Sequence, residues 1–227
     1  MSVLRHYNWE HEIIFDDGSI NHLIIENPIT MRNYVMELKS QIEGDSGSFI
    51  LSKNNEEISI SKNMALITDL VNIQFDEKKI NAKINKDIAQ LTLRNPEMEK
   101  TKFNLISLLE EYASWIVDKY DYNIDYLEPD EQGIIKLLNF HINKEFDSLP
   151  SKLLEWINIS HDIIGIENFI VLNSAIYLSR EEEEILSREA TAMKHNILFI
   201  DASNKNNYTN AIVIDVDNCE IFKTSIR

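Results

Sequence analysis

Apolar and polar positions alternate near both ends of the chain and recur at helical spacing through its middle. Alternation at His11–Phe15 and His22–Ile25 predicts two short strands, with Asp17-Gly18 as the turn between them. Pro28 opens a helix to about Glu43, which places Met31, Tyr34, Val35, Leu38 and Ile42 on one face. The Glu43–Gly47 stretch ends it. Phe49–Leu51, Glu57–Ile60 and Met64–Thr68 read as three further strands. From Asp76 the period changes: Ile80, Ile84, Ile88 and Leu91 follow helical spacing, while Lys79, Lys83 and Lys86 form another stripe. Asn95-Pro96 breaks this helix, because proline disfavours helix at the residue before it. A second helix runs to about Tyr120 on Ile106, Leu109, Ala113 and Ile116. At 1.5 Å rise per residue the two rods are each about 30 Å long.

Shorter helices follow near Glu131–Ile142 and Leu149–His161. Asn168–Asn173 and Ile197–Asp201 are continuous apolar runs, as strands buried on both faces require. Between them Ser179 and Glu182 make a capping box for a helix to about His195. Strand, helix and strand in so short a span form a βαβ unit, so part of the sheet is expected to be parallel. Tyr208–Val216 and Glu220–Lys223 close the chain as a hairpin around Asp217-Asn218. The fold class is therefore α/β: a split head from 1–69 and 146–227, with a long α-helical arm inserted over 70–145.

A chain of 227 residues can bury roughly 70% of its unfolded surface, so a self-sufficient core is expected. Five glycines and four prolines leave little room for flexible linkers. The single cysteine, Cys219, excludes an internal disulfide and suits a reducing, cytoplasmic compartment. It is expected to be a small buried hydrophobe. No run approaches the ~18 apolar residues of a membrane span, and the N-terminal residues lack a signal-type apolar core. Acids outnumber bases 38 to 22, a formal charge of −16, which by itself argues against nucleic acid. The distribution changes that picture. Asp76–Lys102 holds seven bases against five acids, a local +2 that leaves −18 for the remainder.

Catalytic chemistry finds little support. Apolar strands ending at Asn173 and Asp201 resemble P-loop cores, but no glycines fit Gly-x-x-x-x-Gly-Lys-Ser/Thr, and Pro28-Ile29-Thr30 stands where that loop would turn. An ATPase-like skeleton without its phosphate loop is the reading, and no nucleotide is expected. Ser160-His161-Asp162 has triad composition, yet neighbours on a helix project about 100° apart and should not converge. Asp69 with Glu77-Lys78-Lys79 imitates a nuclease set, but i and i+2 on a helix face apart. Glu181–Glu184 are acids in a first helical turn, where the macrodipole favours them. No catalytic residue is assigned.

The acids between Asp118 and Glu131 raise a metal question. Asp121-x-Asn123-x-Asp125 opens like an EF-hand, but Tyr126 stands where glycine must be and Gln132 replaces the closing Glu. Oxygen ligands without His or Cys suit calcium better than zinc or copper. On chemistry alone, a calcium site and a solvated acidic loop stand equal. The lysine stripe likewise reads either as a binding face or as the wet side of an amphipathic helix.

Several stretches together resemble a known family. These are Ala65-Leu-Ile-Thr-Asp69-Leu before an Ile/Lys-rich helix, and Asp125-Tyr-Leu-Glu128-Pro-Asp130-Glu131 leading into a helix. The third is Phe169-Ile-Val-Leu-Asn173-Ser-Ala-Ile-Tyr-Leu-Ser179, an acidic helix start, then Asn196-Ile-Leu-Phe-Ile200. In order and spacing, from about Met64 to Asp201, they resemble the small accessory proteins of subtype II-A CRISPR adaptation, the Csn-two family. That resemblance implies a degenerate P-loop-like head with a helical leg, assembled as a homotetrameric ring with a basic channel. It implies binding of double-stranded DNA at free ends without sequence preference, in spacer acquisition beside the CRISPR integrase pair and the RNA-guided effector nuclease, and no enzymatic activity. It also implies calcium near the leg–head junction, for which Asp125, Glu128, Asp130 and Glu131 are the matching residues, Asp125 displaced by one position. Lys53, Lys62, Lys79, Lys83 and Lys86 are the corresponding DNA-binding candidates. The rival readings are a divergent metal-dependent nucleotide hydrolase or nuclease, and a protein-only scaffold.

Overall fold

The computed structural model describes residues 1–75, 77–141, 145–205, 208 and 210–223. The chain divides into two compact units, Met1–Gln74 with Glu145–Arg227, and Phe75–Lys144.

In the first unit the strands are β1 (Ser2–His6), β2 (Ile13–Phe15), β3 (Ile20–Ile25), β4 (Phe49–Lys53), β5 (Glu56–Ile58) and β6 (Met64–Ile67). After the inserted unit come β7 (Asn168–Leu172), β8 (Asn196–Asp201), β9 (Ala211–Ile214) and β10 (Glu220–Lys223). Six of them form one sheet in the order β10-β9-β3-β8-β7-β6, parallel except for β10. The other four form an antiparallel sheet, β2-β1-β4-β5. Helices α1 (Pro28–Glu43) and the short α2 (Ile60–Asn63) belong to this unit, and the second unit holds α3 (Glu77–Arg94), α4 (Pro96–Val117) and α5 (Glu131–Leu138). The first unit resumes with α6 (Leu149–Ile159), α7 (Ser174–Tyr177) and α8 (Arg180–Ala192).

The apolar runs of β7 and β8 explain the layering. Successive side chains point to opposite faces, and here both faces are covered. Phe169, Val171, Ile197 and Phe199 pack with Leu153, Ile157, Leu186 and Ala190 from α6 and α8. Ile170, Leu172, Leu198 and Ile200 pack on the other side with Leu4, Phe15, Leu38 and Leu51. Burial on two faces is the condition under which parallel strands persist. The register, with Phe169 beside Ile197 and Ile170 beside Leu198, keeps like faces together.

Local signals set the helix ends. Asn27 caps α1, its Oδ1 accepting from the Ile29 and Thr30 N–H groups, and Gly44 ends it at φ 111°. The Ser179–Glu182 capping box starts α8. In the second unit Asn95 caps α4 through the Glu97 and Met98 N–H groups, with Pro96 in the first turn.

Five expectations need correction. Asp17-Gly18 joins no hairpin, because β2 pairs with β1 while β3 enters the other sheet. Gly18 serves a close approach instead: at φ +92°, a Cβ there would lie 2.7 Å from the Thr191 carbonyl oxygen. The expected strand Glu57–Ile60 stops at Ile58, and Ile60 begins α2. Helix α4 ends at Val117 rather than Tyr120. Helix α5 ends at Leu138, where Asn139 adopts φ 47°; Ile142 lies outside the described residues. Cys219 is exposed, in the turn between β9 and β10, where its N–H donates to Asp215 Oδ1 at 2.8 Å.

Phe169 is fully buried, with its ring 5.9 Å from that of Trp156 and 6.1 Å from that of His195. Phe169→Ala should lower unfolding free energy by about 3–5 kcal/mol, read from the urea midpoint. A change of less than ~1 kcal/mol would contradict this two-sided core.

Candidate nucleic-acid interface

Helix α3 places Lys79, Lys83 and Lys86 at spacings of four and three, so they share one face. Lys83 Nζ donates to both Asp87 carboxylate oxygens at 2.7 Å, one turn further on. Both side chains are nearly half exposed, and such an i,i+4 pair contributes about 0.3–0.5 kcal/mol, small enough to be exchanged for a phosphate. Lys79 and Lys86 are exposed. Lys86 lines a pocket of about 350 Å³ with Asn85, Ala89, Glu131, Ile135 and Lys136, between α3 and α5. Lys136 was not singled out from sequence, since nothing in the pattern shows that α5 packs beside α3. Lys53 and Lys62 lie in the other unit. Lys53 is bound to both oxygens of Glu167, at 2.8 and 2.7 Å, and Lys62 stands exposed in the last turn of α2.

The acidic segment 121–130 has neither helix nor strand. Asp125 accepts the N–H of its neighbour Tyr126 at 2.8 Å, and Glu128 is exposed. Asp130 is the N-cap of α5, taking the Gly133 N–H at 2.7 Å. Glu131 places Oε2 3.5 Å from Lys102 Nζ, and its Oε1 is buried with no hydrogen-bond partner among the described residues. The donors are all carboxylate oxygen, and one is orphaned, which suits a hard cation. Their placement does not gather them: among the described residues no three His, Cys, Asp or Glu side chains stand together as a metal-binding group.

The C-terminal edge of the parallel sheet carries the other polar groups. The N–H groups at the start of α1 that would meet a phosphate donate to Asn27 Oδ1 at 3.0 and 3.3 Å. Asp201, at the end of β8, is buried and accepts from Ala175 N–H and Ser174 Oγ, both at 3.0 Å; burial pushes its carboxyl up. Glu183 is buried beside it, 3.4 Å from the same Ser174 Oγ, and accepts the Tyr208 hydroxyl at 2.6 Å. His22 stacks on Tyr208 with centroids 3.7 Å apart and lies 3.7 Å from Glu183 Oε1. Asp69 is spent on its own loop, where the Asn72 side chain and N–H hold its carboxyl below the usual range.

Ser160-His161-Asp162 departs from expectation. Ser160–Ile164 forms a π-turn, and within it His161 Nδ1 and Asp162 Oδ1 are 2.8 Å apart. The 100° projection assumed for neighbours belongs to a regular α-helix, which this segment is not. Ser160 itself is buried.

Fold and site together define a mixed α/β protein with a partly parallel sheet and a cationic stripe on a helix of its inserted unit. A family model for CRISPR-associated proteins, Cas_Csn2, matches residues 41–218, and the chain belongs to that family. A curated relative, CRISPR-associated protein Csn2 of Streptococcus agalactiae, is 21% identical over 138 residues, which cover 61% of this chain. The match spans 62% of that relative's length, less than two thirds. The crystal structure of Stu0660 of Streptococcus thermophilus aligns over 99% of this chain and 76% of that one, with a TM-score of 0.57 and 11% identity. That last likeness concerns the fold alone. No helix among the described residues is long and apolar enough to cross a membrane.

Burial lowers the His22 pKa from 6.5 to about 4. The unfolded chain protonates this ring near pH 6.5, whereas the folded protein resists until about pH 4. The stability tied to neutral His22 is therefore complete above pH 6.5 and lost as pH falls through 4, on the order of 3 kcal/mol in all. Denaturant unfolding of wild type and His22→Gln from pH 7 to 4 should show the wild type losing more stability. Parallel profiles would contradict the burial of a neutral imidazole.

Proposed function

We propose that this chain binds double-stranded DNA ends without sequence preference, as a homotetrameric ring, and assists CRISPR spacer acquisition without catalysing a reaction. Family membership over residues 41–218 carries the reading and supports a role in CRISPR adaptation. In this reading the first unit is a degenerate P-loop-like head and the second unit is its helical arm. The integrase pair and the RNA-guided effector nuclease are its partners.

Electrostatics must explain how a chain of charge −16 holds a polyanion. At physiological salt the Debye length is about 8 Å, so acids on an outer surface are largely screened from a channel. Lysines within that distance of the phosphates set the local field. Lys79, Lys83 and Lys86 share a helix face, and the Lys83–Asp87 ion pair there is nearly half exposed and weak. Calcium belongs to the proposal as well: held by Asp125, Glu128, Asp130 or Glu131, it supplies two positive charges per ion among acids. Its oxygen-only donors and the orphaned Glu131 Oε1 favour it.

Two observations support assembly and the absence of turnover. On α4, Leu108, Tyr112 and Trp115 are each about 60% exposed on one side of the helix, an apolar surface that a second copy would cover. At the sheet edge, Asn27 takes the N–H groups that a nucleotide phosphate would need, and Asp201 is sealed.

Combined reversal of Lys79, Lys83 and Lys86 to glutamate should weaken binding of a linear duplex by about a hundredfold or more in gel-shift titrations at 0.1 M salt. The same titration with calcium should strengthen binding by wild type but not by Glu131→Gln. Undiminished binding by the triple variant would show that these lysines are merely solvated and favour a scaffold.

A further inference from the structure

His161 and His195 meet on the first unit, away from both the lysine stripe and the acidic segment in sequence. Their ring centroids are 4.8 Å apart at an interplanar angle of 62°. His195 is 3% exposed, at the turn between α8 and β8. Its Nε2 lies 2.7 Å from Asn158 Oδ1, so the ring proton sits on Nε2 and Nδ1 presents its lone pair. That Nδ1 is buried and has no hydrogen-bond partner among the described residues. Burial, and then His161 beside it, lower the ring's pKa against a smaller opposing effect of Asp162. His161 shows the matching arrangement. Its Nδ1 lies 2.8 Å from Asp162 Oδ1, which leaves Nε2 unprotonated in the neutral ring. The two rings line a cavity of about 600 Å³ with Asn158, Asp162, Glu155 and Met193.

We propose that His161 and His195 form a two-imidazole site for a divalent first-row transition cation such as Zn²⁺. A metal-bound histidine characteristically donates its other ring N–H to an oxygen, which fixes tautomer and orientation. Both rings do so here, one to an amide oxygen and one to a carboxylate. Two imidazoles on one tetrahedral ion, at metal–nitrogen distances of about 2.0–2.1 Å, have centroids roughly 5 Å apart, close to the 4.8 Å observed. The π-turn has a role in this arrangement, since it sets His161 beside Asp162 in a way a regular helix does not. Nitrogen donors select zinc, nickel or copper over calcium. The site is therefore chemically distinct from the acidic segment. Two protein ligands leave the remaining positions to water.

The test is calorimetric titration of the full chain with ZnCl₂ in millimolar CaCl₂, which saturates oxygen sites. Wild type should take up one Zn²⁺ per chain, and zinc should raise its melting temperature. His161→Ala removes a side chain that is 41% exposed; it should fold normally, bind zinc at least tenfold more weakly, and lose the thermal shift. His141→Ala, at an exposed histidine of the other unit, should behave as wild type. No saturable uptake by wild type, equal affinity in His161→Ala, or an equal loss in His141→Ala would each overturn the assignment.

Discussion

Parallel strands that are apolar on both faces require two covering layers, and β7 and β8 impose that condition on the first unit. One side is closed by α6 and α8 and the other by α1 with the antiparallel sheet. The inserted unit respects the same constraint. It enters and leaves between β6 and β7, which still pair in parallel with Met64 opposite Asn168. An insertion at that point leaves the strand order intact, so the sheet tolerates a long excursion of helices.

The layering also decides what happens to polar groups at the strand ends. Asp201, Glu183, Ser174 and Tyr208 are drawn into one hydrogen-bonded network, because unpaired carboxyls inside the first unit are costly. Asn27 closes the start of α1 with its own side chain. Groups at the positions where an α/β nucleotide enzyme would do chemistry are thus engaged with one another. The cations remain outward, on α3 and in the last turn of α2.

Much of this was legible in the residues. The apolar runs at Asn168–Asn173 and Ile197–Asp201, with the Ser179–Glu182 box between them, announced a parallel βαβ unit. Asn95-Pro96 marked the boundary between two long helices. Ser2–His6 was missed because Ser2 and His6 are buried along with Val3 and Leu4, so no alternation betrays the strand. Without β1, the Asp17-Gly18 turn looked like a hairpin. The candidate sites were less legible, since they depend on meetings between distant residues. Glu131 with Lys102, Lys86 with Lys136, and His161 with His195 leave no mark in a linear pattern. The π-turn at Ser160 leaves no mark for a related reason: its sequence is compatible with a simple continuation of α6, whose C-terminal end it forms.

In the proposed DNA-binding role a few local cations must outweigh the chain's net negative charge, which the salt dependence of linear duplex affinity tests. With backbone phosphates as the only contacts, the logarithm of affinity should fall linearly with the logarithm of salt concentration. The predicted slope is about −0.9 per phosphate neutralised, the same for unrelated sequences. An affinity that ignores salt, or one that changes with base sequence, would contradict the account.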